Sequence, residues 1–254
     1  ALKVAERFNI DIQDLRAPLD VEETSRIDVE DDYTLILVDF PTQEERNNKS
    51  YYVTIPLGII VTDEVVVTTC LENISLMDDF LNHRVRNFYT FMKTRFVFQI
   101  LYRNAQHYLT ALRSIDRQND KLEAQLENST KNEHLIDMME LEKSIVYLKA
   151  SLKMNERIVK KLTGNASSLK KYIEDEDLLE DTLVETQQAI EMAGIYENVL
   201  NAMTETSASI INNNQNTIMK TLALMTMALD IPTVIFSAYG MNFNNNSMPL
   251  NDLD

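Results

Sequence analysis

Thr221–Tyr239 reads TLALMTMALDIPTVIFSAY, a run of 19 residues in which Asp230 is the only charge. A helix needs about 20 mostly apolar residues to cross the hydrocarbon core of a bilayer. A soluble protein can bury a similar run in its core, but the surroundings argue against that. No proline lies between Pro56 and Pro232, and after Gly58 only Gly164 and Gly194 interrupt that stretch. Proline breaks helices and glycine weakens them. A helix from Glu176 to Tyr239 would have 64 residues and a length of about 95 Å at 1.5 Å per residue. That is too long for a compact domain, so it predicts a stalk that continues into a membrane.

Charge sets the orientation. Lys220 is the last basic residue, and all 24 Lys and Arg precede the apolar run. Basic residues stay on the cytoplasmic side. Residues 1–220 are therefore expected inside and 240–254 outside.

One row of the long helix differs from its flanks. Alternating steps of three and four residues visit Glu205, Ser209, Asn212, Asn216, Met219, Ala223, Thr226, Asp230, Thr233, Ser237 and Gly240. Nearly all are polar or small, while Leu222, Leu224, Leu229, Val234 and Phe236 flank them. Small-residue helix packing would explain part of this row. Asp and Asn are costly in lipid, so a symmetric bundle around a water-filled path explains more of it. Rings of carboxylate and carbonyl oxygen suit a hard cation. A lipid-facing Asp230 would cost about 2.5–3.5 kcal/mol on insertion scales, which also predicts that it faces the axis.

Upstream, the first 75 residues read as a small α/β unit. Ala1–Leu15 has helical spacing of Leu2, Ala5, Phe8 and Ile12. Tyr33–Phe40, Tyr51–Pro56 and Gly58–Thr69 are β-branched or aromatic runs, with polar turns at Glu44–Ser50 and Thr62–Glu64. They predict a mostly antiparallel sheet. Residues 76–165 then read as a helical hairpin. One helix is expected from Phe80 to Glu127, with a turn at Asn128–Glu133. A second is expected from Leu135 to Leu162, ended by Gly164 in a C-cap position. The fold class is α+β: sheet domain, hairpin, stalk at 176–239, and an external loop at 240–254.

Composition excludes several functions. The chain has 254 residues, 4 Gly and 5 Pro, with neither a phosphate loop nor a dinucleotide fingerprint. Cys70 is the only cysteine, so multi-cysteine zinc sites are out, and the three His are scattered. No nucleophile signature points to an enzyme. A net charge of −16 disfavours nucleic acid, whose phosphates want a basic face. Glu174–Asp181 (EDEDLLED) packs six carboxylates into eight residues. It reads equally as a solvated helix start or as a divalent-cation sensor.

After the apolar run comes Tyr239-Gly240-Met241-Asn242-Phe243. Before it, Asn216-Thr217-Ile218-Met219-Lys220-Thr221-Leu222 fits an Asn-x-x-Met-Lys-x-Leu pattern. Together these resemble the CorA family of magnesium transporters, and the resemblance extends over most of the chain. It implies a homopentamer in the lipid bilayer whose stalk helices line a pore for Mg²⁺, with Co²⁺ or Ni²⁺ as further cargo and no organic cofactor. It assigns Gly240, Met241 and Asn242 to the outer mouth and Asn216, Met219 and Leu222 or Ala223 to the inner gate. Glu205 falls at the cytoplasmic entrance. Asp181, with Asp177 and Glu180 near it, falls at a regulatory Mg²⁺ site between subunits, with Glu44 or Glu45 as the candidate partner. Asp230 stands where many relatives have an apolar residue. The second membrane helix and the first strands that the resemblance implies are missing, and residue 1 is Ala, so the sequence is read as part of a longer chain. A membrane-tethered coiled-coil scaffold and a zinc-transporting relative are the alternatives. A scaffold needs neither the polar row nor Gly-Met-Asn.

Overall fold

The computed structural model describes residues 1–46, 49–128, 132–164 and 173–240. They fall into two compact units, Ala1–Thr204 and one from Glu205 onward.

In the first unit, helices α1 (Leu2–Phe8) and α2 (Ile12–Arg16) lead into strands β1 (Ile27–Val29), β2 (Tyr33–Arg46), β3 (Lys49–Thr62) and β4 (Val66–Cys70). The strands pair antiparallel in chain order. Helices α3 (Ser75–Leu81), α4 (Lys93–Asn128) and α5 (Asn132–Thr163) follow, then α6 (Ile173–Gly240), which continues into the second unit. The α+β class and the antiparallel sheet are as the sequence predicts.

The middle of β2 is buried on both sides. Ile36, Val38 and Phe40 join Ile55, Leu57 and Ile59 in a core with Phe80, Phe98, Leu101, Ile158 and Leu179. Leu35 and Leu37 point the other way, into a core with Ala5, Ile10 and Leu15. A strand covered twice reads as a continuous apolar run rather than an alternation, which is the pattern of YTLILVDF. Gly58 permits the close cover. A Cβ there would lie 2.2 Å from Cγ of Pro18, so any side chain would push the α2 end off the sheet.

A buried polar latch joins sheet to helices. Leu37 and Arg26 exchange both backbone hydrogen bonds, at 2.8 and 3.1 Å. Two residues on, Asp39 aims its N–H and C=O at the same edge, beyond the end of β1. Asn155 of α5 fills the gap: its Oδ1 accepts from the Asp39 N–H at 2.9 Å and its Nδ2 donates to the Asp39 carbonyl at 2.8 Å. Asn104 of α4 donates to that carbonyl as well, at 2.8 Å. Two helix amides thus stand in for a missing strand, because buried backbone groups must be paired.

Four sequence expectations change. The helix expected over Ala1–Leu15 is two helices, because Asn9 adopts φ 52° and Asp11 caps the second by accepting from the Gln13 N–H at 2.8 Å. Asn tolerates the left-handed region better than most residues. The helix expected over Phe80–Glu127 is broken between Leu81 and Lys93, where His83 and Asn87 both have φ 55°. Phe88 sits in an aromatic cluster with Phe80 and Phe96, centroids 5.0–5.1 Å apart. The Gln99 amide donates to the carbonyls of Arg86 and Asn87. Packing overrides helix propensity there. The hairpin strands run to Arg46 and restart at Lys49, so the polar turn is narrower than Glu44–Ser50. Gly164 donates its N–H to the Lys160 carbonyl, but no glycine among the described residues has positive φ. The left-handed cap that usually selects glycine is not used.

Burial pushes the Asp39 carboxyl above its ordinary value, and hydrogen bonds to Ser151 and Ser25 pull it partly back. A carboxyl whose folded pKa is raised favours folding below its unfolded pKa. That advantage is lost as pH rises through the folded value. Asp39→Asn should therefore gain stability relative to wild type as pH rises from the ordinary carboxylate range through the raised folded value, read as urea midpoints of the full chain in detergent. A gap that stays constant with pH would show that the carboxyl is not desolvated.

Candidate functional site

The polar row lies on α6, and every position of it from Glu205 to Ser237 is solvent-exposed in the single chain, as is Gly240. Among the described residues α6 is the one helix long and apolar enough to cross a membrane, and none of its apolar window is buried. The flanks are equally bare: Leu222, Ile235 and Phe236 are 56%, 51% and 75% exposed. Neither water nor lipid suits both surfaces. Apolar flanks want hydrocarbon, and a row with Asn212, Asn216 and Asp230 wants water or a polar partner.

The row is partly prepared for a dry environment. Thr226 donates its hydroxyl to the Leu222 carbonyl at 2.9 Å, and Thr233 donates to Leu229 at 2.8 Å. Each hydroxyl spends its proton within the helix and keeps oxygen lone pairs outward. Pro232 sits inside the helix and has no N–H, so the carbonyl of Ala228 loses its usual helical partner. Neighbouring Thr hydroxyls make such a break tolerable in membrane helices.

The row repeats every 3.5 residues while an α-helix turns every 3.6. It drifts by about 20° per heptad, or roughly 100° between Glu205 and Gly240. A row of that kind stays on one seam only if neighbouring helices wrap left-handed.

In the first unit α6 has a packed side and a bare side. Leu179, Thr182, Thr186, Ala189, Ala193 and Leu200 are buried. Ala189, Ala193 and Leu200 pack with Tyr108 and Leu112 of α4 and with Ile145 and Leu148 of α5. Counting back from Glu205 in the same three-four steps gives Ala202, Asn198, Ile195, Glu191, Gln188, Val184, Asp181 and Asp177, and all are exposed. Val184 and Ile195 are bare at 57% and 59%. Sequence reading missed this extension. The signal was present in the spacing, but only the packing of α6 tells the bare row from its neighbours.

The other expected site residues are scattered within one chain. Asp177, Glu180 and Asp181 stand exposed on the first turns of α6. Glu44 is on β2, where the Arg46 guanidinium at 2.7 Å lowers its pKa. Arg46 also reaches Glu140 at 3.5 Å. Glu44 therefore already has a cation beside it, and neighbouring Glu45 lies opposite Ser50 in the hairpin. Among the described residues no three His, Cys, Asp or Glu side chains converge into a metal-sized group. Gly240 ends the described part of α6, and Met241 and Asn242 lie outside the described residues.

The profile of the CorA family, described as "CorA-like Mg2+ transporter protein", matches residues 1–253. The chain belongs to the CorA family. It is 27% identical over 256 residues to the cobalt/magnesium transport protein CorA of Methanocaldococcus jannaschii, covering 95% of this chain and 76% of that relative. The complete structure of the CorA magnesium transporter from that organism superposes with a TM-score of 0.81 at 25% identity. The match covers 99% of this chain and 78% of the other. The soluble domain of the same protein matches in fold, with a TM-score of 0.73 at 24% identity, covering 82% of each chain. As a CorA-family chain this is a membrane protein of a divalent-cation transporter family, and α6 is its membrane-capable helix. The family consists of transporters rather than enzymes.

If copies of the chain pack along α6, a bare row of constant phase is where they would meet. Single cysteines at Ile195, Asn216 or Ala223 in a Cys70→Ser background should cross-link neighbouring chains in mild detergent. Cysteines at the flanking Leu224 should cross-link far less. Equal yields at both kinds of position would rule out the row as the seam.

Proposed function

We propose that the chain forms a homopentameric pore for Mg²⁺ influx, with five α6 helices turning the row from Glu205 to Ser237 toward the axis. The observation that carries this reading is the row itself. It is polar or small through an apolar helix and bare in the single chain. Five carboxylates at Glu205 would collect cations at the cytoplasmic entrance. Asn216, Met219 and Ala223 would form the inner gate.

Midway, five copies of Asp230 would meet at the axis. Like charges so close cannot all stay ionised without a cation, so a hydrated divalent ion would sit among them. Outside, the Asn242 amide would greet hydrated Mg²⁺ with Gly240 and Met241 shaping the turn. Mg²⁺ gives up water reluctantly, and a neutral amide can hydrogen-bond the water shell without stripping it. Co²⁺ and Ni²⁺ would pass as cations of similar hydrated shape.

Gating would come from cytoplasmic Mg²⁺ at the first turns of α6. Asp177, Glu180 and Asp181 are exposed on successive turns, and their hard oxygens fit a divalent cation. Unfilled, such carboxylates on adjacent subunits repel. Filled, they would be bridged, which favours one tight, closed arrangement by differential binding.

Three measurements test this reading. Metal flux into liposomes with the full-length protein should show Mg²⁺ entry, and comparison with Co²⁺, Ni²⁺ and Zn²⁺ sets selectivity. Asn242→Ala should abolish uptake while a cysteine ladder at Asn216 still reaches five rungs; normal uptake would remove Asn242 from the outer mouth.

Separately, millimolar Mg²⁺ should raise the protease resistance of residues 1–220, and Asp181→Ala should remove that rise. Protection that ignores the metal would end the sensor assignment.

A further inference from the structure

Between Phe80 and Ile115 the sequence carries six Arg and Lys and no Asp or Glu, in a chain of net charge −16. The loop 82–92 presents the exposed part of this stretch. Leu81, Tyr89 and Phe91 are 75%, 51% and 74% exposed, and Arg84 and Arg86 are exposed between them. The rings of Tyr89 and Phe91 lie 5.6 Å apart.

The backbone beneath is well tied. Phe88 is packed against Phe80 and Phe96, Gln99 holds the carbonyls of Arg86 and Asn87, and Arg103 holds that of Arg84. The Arg84 guanidinium lies 3.6 Å from Asp79 of its own chain yet stays 68% exposed, so the loop still turns aromatic rings and guanidinium groups to solvent, the composition of a contact surface.

Its position points to the occupant. Arg95, at the start of α4, reaches Asp175 of α6 at 3.5 Å. The end of the loop is thus level with the first turns of α6 in its own chain. Those turns expose Glu176, Asp177, Glu180 and Asp181.

We propose that loop 82–92 of one copy docks on the acidic first turns of α6 of a second copy. This rests on the reading that copies assemble around an axis along α6. Rotational symmetry sets all copies at one height, so a loop level with its own α6 start is level with its neighbour's. Arg84 and Arg86 meet carboxylates of opposite sign, while Tyr89 and Phe91 supply apolar area. Guanidinium groups and Mg²⁺ compete for the same carboxylates. Mg²⁺ therefore releases the loop, and the docked loop weakens Mg²⁺ binding by the same factor.

The test uses full chains with two different tags, co-expressed in membranes in a Cys70→Ser background. One carries Phe91→Cys and the other Glu180→Cys. A short bismaleimide in EDTA buffer should give a mixed-tag product that falls at least fivefold with millimolar Mg²⁺ at constant ionic strength. Arg84→Glu with Arg86→Glu on the first chain should remove the product. Glu176→Arg with Asp177→Arg on the second should restore it.

The proposal is overturned if the product is absent, or ignores charge reversal, while the Asn216→Cys ladder persists. Loss of that ladder as well would remove the assembly and the docking together. Binding to phosphatidylserine vesicles that depends on Arg84 and Arg86, without a mixed-tag product, would assign the loop to lipid headgroups and overturn the docking.

Discussion

A helix that is apolar on most sides and polar along one row has no single solvent. Water penalises Leu222, Leu229 and Phe236, and hydrocarbon penalises Asn216 and Asp230. The proposed ring of such helices would resolve the conflict, with flanks in lipid and rows facing inward. Thr226 and Thr233 return their hydroxyl protons to the helix, which lowers the desolvation penalty without removing the oxygen. The soluble part of α6 carries the same tension in weaker form. Its packed side is built from Leu179, Ala189, Ala193 and Leu200. Its opposite row stays bare, with Val184 and Ile195 among acids and amides. The tension is continuous along the helix, and so is the demand for neighbours.

The sheet unit serves that helix by being hard to deform. β2 is sandwiched between two apolar layers, and its free edge is closed by the amides of Asn155 and Asn104. Losing the Asn155 amide would leave the buried Asp39 N–H unpaired, at about 1–3 kcal/mol, and its carbonyl with Asn104 alone. Lys149 adds a second tie by pairing with Glu197 across α5 and α6. It passes Gly194, where its Nζ stands 3.7 Å from where a Cβ would be. These contacts tie α5 and α6 together along this stretch.

Long-range order was far more legible in the amino-acid sequence than local irregularity. The membrane run and its row are periodic over dozens of residues, and a period survives the loss of tertiary information. The breaks at Asn9 and at 82–92 are different. They hold neither Gly nor Pro, and the left-handed His83 and Asn87 let Phe88 fold back between Phe80 and Phe96, eight residues to either side. The latch on Asp39 was equally hidden, since Asn104 and Asn155 look like ordinary polar helix positions until the end of β1 is known. The bare row above Glu205 was readable in principle. Its acids and amides are too common on solvated helices to stand out without the packed side for contrast. Glu44 looked free for a metal, and only the extension of β2 through Arg46, which sets residues two apart on one face, brings the guanidinium beside it.

The latch also has a bearing on the order of synthesis. Asn155 closes the edge at Asp39, and Thr221 follows it by 66 residues in the chain. At 5–20 residues per second, that interval lasts about 3–13 s on the ribosome. The sheet and its two helix amides can therefore close while the apolar segment is still unmade. The nascent chain can then present its lipid-seeking helix to the insertion machinery with the sheet and its latch already closed behind it.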